Sequence, residues 1–186
     1  SQGAHSTGSV GGPNCTESGA FPTLSPPSAS TLQCNDPQVA ALSVGGEDAG
    51  AAVTVESLAG RCPGDYKLER VYTKTAAGPN NVPFTSQETV IVSVIDTEEP
   101  VFTYGPPDME VQCDAYPSLP EPKASDATVS DNGCDPNPTL EFCKEIIPGQ
   151  CKDNFFDVRT WTTTDDCGNS RCHTQTLTVV DESAPA

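Results

Sequence analysis

The chain has 186 residues, with 26 acidic side chains against 9 basic ones and a net charge of −17. A surface of that sign repels nucleic acid and anionic lipid, and no apolar run approaches the roughly 20 residues of a membrane span, so neither partner is expected. Nine cysteines beside one methionine and two histidines fit an oxidising compartment, and a secreted chain whose leader has been removed is the expectation.

Residues 1–20, rich in Ser, Gly and Thr, read as an N-terminal extension. It holds the chain's one usable N-x-[ST] sequon, Asn14-Cys15-Thr16, because the NPT at 137–139 is blocked by its proline. Asn14 is therefore the candidate for an N-linked glycan, and the Ser/Thr/Pro density across 1–31 suits O-linked sugar. Three fates are open to Cys15: a bridge to another chain, a partner absent from this sequence, or a free thiol.

Beyond the extension the chain says nearly the same thing twice. From Cys62, Tyr66 lies four residues on, Arg70 eight and Tyr72 ten; from Cys151, Phe155, Arg159 and Trp161 stand at the same offsets. Upstream, PPSASTLQCND around Cys34 answers PPDMEVQCDAY around Cys113. Downstream, TVIVSVIDTEEP answers TLTVVDESAP. Three anchors in one order define two copies of a module, 21–100 and 101–186.

No apolar i, i+3, i+4, i+7 set lasts three turns, whereas short alternating runs between turn formers recur. The fold class is all-β: two tandem immunoglobulin-like sandwiches behind an extended tail. In the second module strands are predicted at 108–113, 122–129, 138–146, 154–163 and 171–180, separated by DNG, DPNP, PGQ and DDCGNS. From Cys34 to the strand near Val53 is only 19 residues, against 27 from Cys113 to Leu140, so the first module is expected to be a strand short.

Modules this small need cross-links. The first copy keeps Cys34 and Cys62, which match Cys113 and Cys151; if bridges are inherited as couples, the pairs are Cys34–Cys62 and Cys113–Cys151. Leu140, Phe142, Leu177 and Val179 share the core-facing parity, which puts Cys143 and Cys172 on the solvent side as a surface cross-strand pair. Cys134–Cys167 is then left to tie two acidic turns. No CxxC occurs, so a zinc reading of the cysteines is disfavoured.

Catalysis has little to draw on. His5 lies in the tail, His173 is mid-strand, and there is neither GxSxG nor a phosphate loop, so no enzyme is expected. A Cys134–Cys167 bond would gather Asp131, Asn132, Asp135, Asp165, Asp166 and Asn169, with Asp126 close by. Such an oxygen-only set is what Ca2+ takes, though the same residues are also ordinary turn formers. Strand parity places Tyr66, Leu68, Arg70 and Tyr72 on one face, and Phe155, Asp157, Arg159 and Trp161 likewise. Arg70, Arg159 and Trp161 are then structural pins, with Asp157, Asp96 and Asp181 as candidate carboxylate partners.

PPDMEVQCDAYPSLPEP, SDNGCDPNPTLEF, CKDNFFDVRTWTTTDDCGNS and TLTVVDESAP together resemble hyalin-type, immunoglobulin-like repeats of secreted and cell-surface proteins. The resemblance covers most of the second copy; the first lacks the DNGCDPNP and DDCGNS equivalents. It implies tandem arrays, extracellular adhesion or scaffolding, and no catalysis. The expected function is a structural subunit of an extracellular filament or surface fibre. Its partners would be further copies of itself, joined head to tail by strand complementation, and glycans. The alternative is an adhesive or ligand-binding module of a non-polymeric surface glycoprotein, rigidified by Ca2+.

Overall fold

The computed structural model describes residues 22–78, 81–149 and 154–182. Apart from one short helix and brief 3-10 turns, the regular structure of the described residues is strand. The Val/Thr-rich runs require this, because β-branched side chains are stiff at χ1 and pack well on a pleated face.

The first module runs β1 (Ser30–Gln33), α1 (Pro37–Leu42), β2 (Gly46–Asp48), β3 (Ala51–Cys62), β4 (Asp65–Ala77) and β5 (Pro83–Ile95). These strands make one sheet in the order β1-β5-β4-β3-β2, with β1 parallel to β5 and the other neighbours antiparallel. Side chains alternate across a strand, so Leu68, Arg70 and Tyr72 of β4 and Val90, Val92 and Val94 of β5 are buried together. Among the described residues no second sheet of this module meets that face. Instead α1 lays Val39 and Leu42 on Leu68, Val92 and Val94, while Leu24 packs with Ala51, Val53, Tyr72 and Val90. The helix starts where it does because the Asp36 side chain accepts the Gln38 amide and Pro37 occupies the first turn.

The second module runs β6 (Val101–Tyr104), β7 (Met109–Gln112), β8 (Thr128–Ser130), β9 (Thr139–Pro148), β10 (Phe155–Thr164) and β11 (Ser170–Val180). Its main sheet is β7-β11-β10-β9, with β7 parallel to β11, and β6 pairs β8 in a second, two-stranded sheet. The registers repeat as the sequence does: Tyr66 lies opposite Val94 and Phe155 opposite Val179. The strand predicted at 122–129 shrinks to β8, because residues 124–126 form a 3-10 turn in which Asp126 accepts the Lys123 amide. The four residues of β6 were too few to show alternation in the sequence.

Three of the four expected cystines need correction, and the fourth involves a residue outside the described ones. Cys34 is bonded to Cys134, and Cys62 to Cys167. Both bridges cross from one module to the other, with Cα–Cα distances of 5.8 and 5.1 Å. Cys34–Cys62 fails because β1 and β3 are three strands apart in the sheet, roughly 14 Å, where a disulfide reaches about 7 Å. Cys134–Cys167 fails because each of the two is already bonded to the first module. Cys143 and Cys172 do lie on the solvent face, but they oppose Thr160 and Thr162 on either side of β10, roughly 12 Å apart, and both are free thiols. Cys151, Cys15, Asn14 and His5 lie outside the described residues, so Cys113–Cys151, the sequon and the tail are not addressed by the structure.

Candidate functional site

The site begins at the boundary between the modules, where the chain passes from Asp96 through Thr97, Glu98 and Glu99 to a fully buried Pro100. Both modules grip this linker. From the first, Gln33 Nε2 donates to Thr97 (2.6 Å) and Asn35 Nδ2 to Glu98 (3.2 Å). From the second, Asn132 Nδ2 donates to Glu98 (3.0 Å), and Arg171 Nε pairs with Glu99 at 3.1 Å.

Two turns of the second module press against it, residues 131–137 and 165–169. Here the Asp and Asn side chains mostly build the turns. Asp135 accepts the amides of Asn137 (2.8 Å) and Asp166 (3.0 Å), and the second of these bonds holds one turn to the other. Asp165 accepts the amides of Cys167 (2.9 Å) and Asn169 (2.8 Å) and the Asn169 side chain (2.7 Å). Asn132 Oδ1 accepts the Cys134 amide at 3.0 Å. Asp131 uses one oxygen for the Asp135 amide at 2.9 Å. Each cysteine thus leaves its turn at a fixed angle and meets its partner in the first module. Of the residues predicted to gather, Asp131, Asn132, Asp135, Asp165 and Asn169 do meet at this boundary. Asp166 is exposed, and Asp126 serves the 3-10 turn at 124–126.

Asp96 is the residue whose part at this boundary the sequence did not reveal. It is 2% exposed. One oxygen accepts from the Glu98 amide (3.3 Å) and Asn132 Nδ2 (3.4 Å); the other has no hydrogen-bond partner among the described residues. Burial holds its carboxyl above the usual range, and the charges of Asp165 and Asp131 add to this. The signal in the sequence is the Asp shared by VIDTEEP and VVDESAP, whose spacing marks it only as a candidate arginine partner.

Gly64 allows the close approach. A Cβ there would stand 2.9 Å from Asp96 Cβ and 3.4 Å from Cys134 Cβ. Gly64→Ala is expected to cost about 1–3 kcal/mol by crowding the buried Asp96 against the boundary, read as a lower denaturant midpoint for the oxidised protein.

The arginine pins are buried in both modules but satisfied differently. In the first, Arg70 donates to Tyr72 Oη (3.1 Å) and to the carbonyls of Leu42 and Val44, and lies over the Tyr72 ring. In the second, Arg159 pairs with Asp157 at 2.9 Å and donates to Gln175 at 3.3 Å. Trp161 is wholly buried, donates to the Lys123 carbonyl at 3.0 Å and packs against Phe142 and His173. Asp181, the third candidate carboxylate, has its amide on Asn154 Oδ1 at 2.7 Å.

No family model matches the chain, and no curated protein does either. Among solved structures, the crystal structure of human mucin-like protocadherin EC1-2 is similar over 83% of this chain and 96% of that one. Identity is 12% and the TM-score 0.28, a likeness that carries no argument. The all-β class rests on the strands themselves, and the cystines belong to an oxidising, extracellular setting. No helix among the described residues is long and apolar enough to cross a membrane.

Proposed function

We propose that the chain is a non-catalytic structural element of an extracellular assembly, a stiff two-module segment whose copies join head to tail into a fibre. The observation that carries this reading is the pair of cystines across the module boundary. A string of independently mobile modules needs none, whereas two bridges on one boundary remove the hinge that a single linker would leave.

Two further features favour fibre growth by strand addition. The first module covers its apolar sheet face with a six-residue helix and a non-strand segment among the described residues, an arrangement that a neighbour's strand could complete. In the second, β9 is the outermost strand of its sheet, ten residues long, with Ile146 and Ile147 47% and 43% exposed. Open edges of this kind template pairing with another chain. The resemblance of the second module's motifs to hyalin-type repeats points to the same matrix or cell-surface setting.

Small-angle scattering of the oxidised chain is expected to give a single elongated envelope, and electron microscopy at rising concentration to show filaments. Deleting residues 1–20 is expected to abolish the filaments if the tail donates the strand. A monodisperse monomer at high concentration, with and without the tail, would end the filament reading in favour of an adhesive module.

A further inference from the structure

We propose that the module boundary is a divalent-cation site, taking Ca2+ on the free carboxylate oxygens of Asp96 from the first module and Asp131 from the second. The proposal rests on the boundary being the rigid joint described above.

Three observations lead to it. First, a carboxylate oxygen of Asp96, in a residue 98% removed from solvent, has no hydrogen-bond partner among the described residues, and neither does Asp131 Oδ1. Buried polar atoms are almost always satisfied, and a buried charge is paired or bound to a metal. Second, no ion pair among the described residues gives either carboxylate a cation. The basic side chains that form pairs, Arg61, Lys144, Arg159 and Arg171, are engaged with Asp65, Glu121, Asp157 and Glu99. Asp165 adds another buried carboxylate to the same boundary, beside the half-buried Asp131. Within a protein already at −17, such a cluster opposes docking unless a cation offsets it.

Third, the donor set selects the ion. The Asp96 carboxylate lies within 4.8 Å of the sulfurs of Cys34 and Cys134, a grouping that taken alone would suit a soft metal. Those sulfurs are bonded to each other, so no thiolate is on offer. What remains is hard oxygen: two carboxylates with spare capacity, and the Glu98 carboxylate that Asn132 Nδ2 ties to Asp96; Asn132 spends its own Oδ1 on the Cys134 amide. Ca2+ accepts such irregular oxygen sets and fills the balance with water, whereas Mg2+ demands a near-ideal octahedron at shorter distances.

The test uses the intact, oxidised chain stripped with chelator and titrated calorimetrically with CaCl2. One saturable site per chain is expected, with MgCl2 at least tenfold weaker. Asp131→Asn keeps the hydrogen bond to the Asp135 amide and should weaken Ca2+ binding at least tenfold, as should Asp96→Asn. Asp166→Asn removes an exposed carboxylate from the neighbouring turn and should change it less than twofold. Absence of saturable binding up to millimolar Ca2+ would overturn the proposal. So would an Asp166→Asn loss as large as that of Asp131→Asn, which marks diffuse attraction to an acidic surface. Failure here, with scattering still showing one rigid envelope, removes the ion and leaves the structural reading standing; a hinged envelope removes the joint itself.

Discussion

Replacing Cys34 and Cys134 together by serine is expected to cost about 4 kcal/mol and to lower the midpoint of thermal unfolding by roughly 10 °C. With Cys62–Cys167 still in place, the loop closed by the lost bridge is about 60 residues around, since the chain can return through the second cystine. Loop entropy depends only logarithmically on length, so each bridge retains most of its effect in the presence of the other. Removing all four cysteines should do more than double the loss of one bridge, because the linker alone then joins the modules. The readouts are calorimetry of the three proteins and a non-reducing peptide map of the parent. The map should yield a Cys34–Cys134 peptide pair and a Cys62–Cys167 pair. Recovery of Cys34 with Cys62 instead would remove the covalent joint and with it the argument for a stiff segment.

The second large effect lies inside the second module. Asp157→Leu should destabilise by about 3–5 kcal/mol, because it leaves the buried Arg159 guanidinium without its carboxylate. The protein carries its own comparison: the first module already has Leu68 at the matching position. There Arg70 is tolerated because α1 and the segment after it bring the carbonyls of Leu42 and Val44 to its guanidinium. In the second module Arg159 has Gln175 as its remaining acceptor. The double variant Asp157→Leu/Arg159→Met should therefore recover much of the loss, because it replaces the ion pair with apolar volume instead of breaking it. Chemical denaturation of the single and double variants gives the coupling directly. If the single variant costs under 1 kcal/mol, the pin reading fails.

The two modules show how one repeat can support different chemistry. Both keep an arginine two residues before an aromatic on the central strand, and both bury it. The first spends backbone carbonyls on it, the second a carboxylate. A short helix in one and a 3-10 turn with a brief strand in the other produce that difference, and both sit in the stretches where the copies diverge in length.

What the sequence by itself determined was the part of the fold governed by local periodicity. Side chains alternate faces along a strand, so the inward sets Leu68-Arg70-Tyr72 and Asp157-Arg159-Trp161 and the outward positions of Cys143 and Cys172 were readable from spacing. Its treatment of the cysteines went astray because joint inheritance has two explanations. Cys134 and Cys167 are absent together from the first copy because they belong to one docking surface; they are not a bonded pair. Choosing between these needs to know which strands are neighbours and which module ends meet, and chain spacing is silent on distances across 100 residues. Asp96 makes the same point: as a letter it was one aspartate at the end of a strand. Only the tertiary structure, by folding the turns at 131–137 and 165–169 over it, strips its water and leaves an oxygen without a partner among the described residues.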